Sequence, residues 1–165
     1  MMKRVEANDS GAMCELAQYY YRGRGGLIHD QERGIELLTR AAKLGSSRAN
    51  SSLGVIYYEK GDLKKAKLHD KAAAMAGDEI ARCNLATIEC KSGNWERATK
   101  HFKIAASAGN YYAMHRLREF FERGHVGRDT IDSTLAAYNN SCVEMRSEAR
   151  DVYIRASARI ISEGT

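Results

Sequence analysis

Small and apolar residues recur along most of this chain at steps of three and four, the spacing that gathers side chains on one face of a helix. Ala49, Leu53, Ile56 and Tyr57 form one such set, and after Gly61 a second follows with Leu63, Ala66, Ala73 and Ala74. A pair of antiparallel helices is the element this predicts. Proline is absent, as suits a chain that is nearly all helix, since each internal proline would cost a helix about 3 kcal/mol.

The pattern repeats with a period of 32 residues. Residues 46–77 laid over 78–109 without a gap agree at 11 of 32 positions, among them Ala49/Ala81, Leu53/Leu85, Gly61/Gly93, His69/His101 and Gly77/Gly109. Chance would give about two, so this is an internal repeat. The frame extends outward through Ala12, Leu16, Gly23, Ala41 and Gly45 on one side and Ala113, Leu117 and Gly124 on the other. Four helix pairs are expected, at about 9–45, 46–77, 78–109 and 110–142.

Capping chemistry supports the frame independently. The residues opening the first helices are Asp9, Ser46, Asp78 and Asn110, and those opening the second are Asp30, Asp62, Asn94 and Asp129. All eight are good N-caps, whose side-chain oxygens satisfy backbone N–H groups that otherwise lack partners. Gly45, Gly61, Gly77, Gly93 and Gly109 stand where a helix must end in the left-handed conformation. Pairs one and four carry longer turns, at 23–29 and 124–128. After the fourth pair, Ala149, Val152, Tyr153, Ala156 and Ile160 share a face of a further helix at about 147–162, expected to cap the apolar end of the stack. The fold class is therefore all-α: a right-handed α-solenoid of four helix-turn-helix repeats plus a C-terminal capping helix, in one domain spanning 1–165.

No run approaches the 18 or so apolar residues of a membrane span, and the N-terminus lacks an apolar stretch of signal-peptide type. Cys14, Cys83, Cys90 and Cys142 are irregularly spaced with no C-x-x-C, which argues against zinc or redox motifs and for a reducing, cytoplasmic or nucleocytoplasmic setting. The formal charge of +5, spread among mixed signs, points toward acidic partners.

With the frame in place, the pattern A-x-x-x-L-G-x-x-Y-x-x-x-G followed by A-x(6)-A-A-x-x-G resembles the Sel1-like repeat, a relative of the tetratricopeptide repeat. Ala49, Leu53, Gly54, Tyr57 and Gly61 show its first half, and the loop form appears in Tyr21, Arg22, Gly23, Arg24, Gly25, Gly26 and Leu27. Three positions depart from it: Arg118 where a small residue lets paired helices approach, Gly34 for a second-helix alanine, and Asp70 where Leu38 and Phe102 supply bulk. The resemblance implies an adaptor in assembly, signalling or quality control, including ubiquitin-linked complexes. A cysteine-rich branch staples neighbouring repeats with disulfides. Here Cys83 and Cys90 share one helix, about 10 Å apart along its axis, which excludes a bridge between them.

Candidate chemistry is sparse. The stretch 22–26 lacks phosphate-loop spacing and follows no strand. His69 and His101, one period apart, would be about 10 Å from each other, too far for one zinc. Cys83, Cys90 and His115 lack a fourth ligand. The basic run Lys60, Lys64, Lys65, Lys67 and Lys71 is interleaved with Glu59, Asp62 and Asp70, so nucleic acid is not the expected partner. Tyr20, Tyr57 and Phe121 share a frame position read as core.

Carried over residue by residue, the resemblance places certain first-helix side chains on a concave face. Tyr21, Arg22, Arg48, Tyr58, Glu59, Lys91, Tyr112, His115, Glu119 and Arg123 are the candidate protein-binding residues, with Cys14, Gln18, Ser51, Val55, Ile80, Cys83, Thr87, Cys90 and Glu122 beside them. Exposed aromatics and arginines are the types that dominate interface energetics. The reading is a non-enzymatic scaffold or adaptor, monomeric, needing no cofactor or metal, that holds a peptide or helix of another protein. Two alternatives stand beside it: an enzyme of the cysteine-rich lactam-binding type, for which no S-x-x-K motif is present, and a basic nucleic-acid-binding repeat protein.

Overall fold

The computed structural model describes residues 2–23 and 28–163, with side chains described for 3–23 and 28–148. Among the described residues there are nine helices and no strand: α1 (Met2–Glu6), α2 (Ser10–Arg22), α3 (Gln31–Lys43), α4 (Ser47–Glu59), α5 (Leu63–Met75), α6 (Glu79–Lys91), α7 (Trp95–Ser107), α8 (Tyr111–Glu122) and α9 (Arg128–Glu163). The chain packs as two compact units, Met1–His101 and Phe102–Thr165, divided within α7. No described helix is long and apolar enough to cross a membrane.

The turns show why the sequence punctuates as it does. At the end of α3 the Gly45 N–H donates to Ala42 O and the Ser46 N–H to Ala41 O, closing the paired bonds that end a helix, with Gly45 at φ +85°. Ser46 then accepts the Ala49 N–H on its hydroxyl and so opens α4. The same residue ends one helix and starts the next. Gly77 and Asp78 repeat the arrangement before α6, as do Gly109 and Asn110 before α8 and Gly61 and Asp62 before α5.

Six of the eight expected N-caps thus accept a backbone N–H from the third residue on: Asp9, Asp30, Ser46, Asp62, Asp78 and Asn110. Asn94 precedes α7, and its side-chain amide donates to Glu89 Oε2 at 3.0 Å. Asp129 is a correction: α9 starts one residue earlier, and Asp129 lies in its first turn, where a carboxylate still favours the positive end of the helix dipole. The second correction is larger. The break expected between a helix ending near 142 and another starting at 147 does not exist, because α9 runs unbroken through both. The apolar face assigned to the capping segment at Ala149, Val152, Tyr153, Ala156 and Ile160 lies outside the residues with described side chains.

In unit 1, α1 packs on α2, α2 on α3, α3 on α4, α4 on α5 and α5 on α6. Its interior is built from alanines and leucines, including Ala12, Ala17, Leu38, Ala41, Ala49 and Leu53. Gly34 proves to be a fit: a Cβ there would come 3.0 Å from Ala17 O and 3.4 Å from Tyr21 Cβ, so glycine lets α3 lie close on the last turns of α2.

Unit 2 packs α8 against α9 around two wholly buried rings, Phe102 and Phe120, set edge to face at 5.7 Å. The Arg116 guanidinium lies over both rings, and His125 meets Phe120 edge-on at 5.9 Å. Phe120 replaces the expected Phe121, which is half-buried, like Tyr20 and Tyr57. The Ser141 hydroxyl donates to Ser107 O at 2.6 Å and Met145 reaches Gly109, which ties α9 to the turn before α8.

Candidate functional site

The last turns of α2 and the whole outer stripe of α4 meet in a cavity of about 260 Å³ in unit 1. Gln18, Tyr21 and Arg22 come from α2; Ser52, Val55, Ile56 and Glu59 come from α4 at the three- and four-residue steps that align one helix face. Ala17, Leu38 and Ile56, all buried, make an apolar floor, and the longer side chains form the walls. Of the groove residues named from the sequence, Gln18, Tyr21, Arg22, Val55 and Glu59 line this cavity; Ala17, Leu38, Ser52 and Ile56 were not assigned to it, although the spacing of the α4 residues carried the signal.

Two contacts order the walls. The Tyr21 hydroxyl donates to Glu59 Oε2 at 3.4 Å, bridging α2 to α4; burial, with the Glu59 charge beside it, pushes the phenol's pKa up. On the neighbouring position of α4, the Tyr58 ring carries the Lys91 ammonium of α6 at 4.2 Å from its centroid, a cation–π contact between consecutive first helices. Arg22 and Arg48 are exposed, and Val55 presents an apolar surface that is 39% accessible.

The remaining candidates lie in unit 2, where Glu119 and His115 are drawn into contacts of that unit's own packing. Glu119 pairs with Arg116 and stands 3.4 Å from His115 Nδ1, while the His115 ring tilts against Tyr111 at 6.4 Å. Tyr112 is half exposed and meets Phe102 edge-on at 6.3 Å. Arg123 is the exposed C-cap residue of α8.

Cys14 and Cys83 do not line an open face; both are buried. Burial, reinforced by the charges of Glu79 and Asp78, pushes the Cys83 thiol up to about 11, which removes it from thiolate chemistry at neutral pH. Among the described residues no three His, Cys, Asp or Glu side chains gather as metal ligands would. All four cysteines are unbridged.

The basic run is partly consumed by the fold. Lys65 pairs with Asp62 and lies over the Tyr57 ring, and Lys67 pairs with Glu89, a carboxylate buried on α6. Burial works against ionisation of Glu89, but hydrogen bonds from Lys67 and Asn94 outweigh it and hold its pKa below the usual carboxylate range. His69 stacks on Tyr57 at 5.5 Å and is hydrogen-bonded to Asn50, and burial lowers its pKa. These side chains fasten α5 to its neighbours.

Helix pairs of fixed period, joined by turns in which one residue stops and restarts the chain, define a helical repeat protein of the tetratricopeptide-like class. Residues 10–46 and 94–110 match the Sel1 repeat. Two solved structures are similar in fold. A protective antigen present in uropathogenic Escherichia coli strains, displaying an SLR fold, superposes with a TM-score of 0.69 at 25% identity, over 88% of this chain and 36% of that one. A Sel1 repeat protein from Oxalobacter formigenes gives a TM-score of 0.69 at 24% identity, over 85% of this chain and 62% of that one. The chain therefore spans about a third of the first structure and three-fifths of the second. No curated protein matches it. The repeat matches and the shared fold support a Sel1-like repeat solenoid, a fold consistent with a protein-interaction scaffold.

Proposed function

We propose that the chain is a non-enzymatic interaction module and that the α2–α4 cavity of unit 1 holds a side chain from an extended or helical segment of a partner protein. The observation that carries this reading is the convergence of Gln18, Tyr21, Arg22, Val55 and Glu59, from two helices, around an apolar floor. Apolar depth supplies affinity, and the Arg22 and Glu59 charges at the rim select what enters. Tyr58, held under Lys91, offers an adjoining aromatic surface.

The test begins with peptides selected from a random display library on the purified chain. The best of them is then measured by calorimetry against Tyr21→Ala, Val55→Asp and Glu59→Ala. A loss of tenfold or more in each, with Lys64→Ala and Lys71→Ala unchanged, is the expected result. Lys67 is not a suitable control, since its removal would strand the buried Glu89 carboxylate. Peptides that bind equally well to all three cavity variants would sink the assignment.

A further inference from the structure

Where α3 has Leu38 and α7 has Phe102, α5 has Asp70, and its side chain is as completely buried as theirs. The room it occupies is made by Gly54 of α4, where a Cβ would lie 2.2 Å from Asp70 Oδ1 and 2.6 Å from its Cγ. Oδ1 accepts one hydrogen bond, from Asn84 Nδ2 of α6 at 3.3 Å; Oδ2 is buried without a partner. A carboxylate taken out of water needs a cation or several donors, and one amide leaves most of its charge uncompensated.

The surrounding charges do not supply the deficit. From the α6 side the acting charge is Asp78, of the same sign. The charged residues of α4 are Arg48 and Glu59, both exposed and more than a helical turn from Gly54. On α5 itself Lys67 is committed to Glu89, Lys71 is exposed, and His69 is turned to Tyr57 and Asn50. Burial accordingly pushes the Asp70 pKa up to about 7, with the Asn84 hydrogen bond pulling down and Asp78 adding to the rise.

We propose that Asp70 is a pH-sensitive latch on the α4–α5–α6 packing: the neutral acid fits the slot beneath Gly54, and its ionisation opens the helices around it. Because the folded chain holds this proton more tightly than the unfolded one, the stabilisation is whole below the ordinary carboxyl pKa. It is lost as pH rises toward 7 and is constant above that. His69 and His101, whose pKa values burial lowers, act in the opposite sense, weakening the fold as pH falls below about 6.5.

The test is denaturant unfolding of the full chain between pH 5 and 8.5, followed by the fluorescence of Trp95, the single tryptophan, which lies in unit 1. Wild type is compared with Asp70→Asn, so that the histidine contributions cancel. The ratio of their unfolding constants is expected to rise about tenfold per pH unit from 5 to 7, as one proton of difference requires, and then to level off. A ratio constant across the range overturns the proposal. Should the variant not fold, the ¹³C shift of the wild-type Asp70 carboxyl decides the matter: a midpoint near 7 supports the latch, and one below 5 refutes it.

Discussion

Unit 1 and unit 2 fold helix pairs of the same kind around different interiors, and the difference decides where surface chemistry is free. In unit 1 no described aromatic ring is fully buried; the core is mostly alanine and leucine, and the tyrosines stay at its margin, Tyr21 reaching Glu59 across to α4. In unit 2 Phe102 and Phe120 fill the centre, and Arg116 covers both rings. That arginine draws Glu119 to it, and Glu119 in turn stands beside His115. A core of small residues leaves the long side chains of the first helices to pair with one another across the surface, as Tyr21 with Glu59 and Tyr58 with Lys91, whereas a core of rings recruits them inward. The cavity lies in the unit with the small core.

Breaking the aromatic pair should produce the largest effect. Phe120→Ala is expected to cost about 3–5 kcal/mol in denaturant unfolding, against about 0.5–1.5 kcal/mol for Ile56→Val at the equivalent position of α4. Equal losses would mean that the two interiors are energetically alike. Next comes the slot specific to unit 1. Gly54→Ala should cost about 1–3 kcal/mol by overpacking against Asp70, and Asp70→Ala in the same chain should return part of it. Additive losses in that cycle would show that the two residues do not contend for one space.

At the surface the contrast is in binding. Glu59→Ala should weaken a selected peptide about tenfold, or roughly 1.4 kcal/mol, while His115→Ala changes it less than twofold. An effect of His115 as large as that of Glu59 would remove the distinction between the two faces. The smallest difference is expected at the caps. Ser46→Ala and Asn110→Ala should each cost about 1 kcal/mol, because both side chains accept the same third-residue N–H. Thermal unfolding of the two variants would reveal any inequality between the units in this shared chemistry.

Period, turns and most caps were legible in the chain because each depends on a few neighbouring residues, and the same solution recurs. The continuity of α9 is legible as well, since no glycine or proline interrupts 128–163; the expected break came from ending the repeat frame near 142. The cavity was partly legible. Tyr21, Arg22 and Glu59 fall where the repeat frame puts them, but the frame does not tell which side of a residue faces solvent when two positions differ by one step around the helix. Cys14 and Cys83 turned inward for that reason, and Phe120 took the core place assigned to Phe121. Asp70 stood out as a departure from the pattern, but its fit depends on Gly54 and Asn84, on two other helices. A pairing of that kind has no period to read.

Ser46, Asp62, Asp78 and Asn110 each close one helix and open the next, which bears on how a chain of this kind can change its length over descent. An insertion or deletion at such a turn separates or removes a stop and a start together, so selection should purge it. In the connections from α2 to α3 and from α8 to α9 the glycine that ends one helix stands apart in sequence from the start of the next, Gly23 before Asp30 and Gly124 before Arg128, although the Asp30 N–H still donates to Tyr20 O. Those two places are where descendants of this chain are free to acquire new loops.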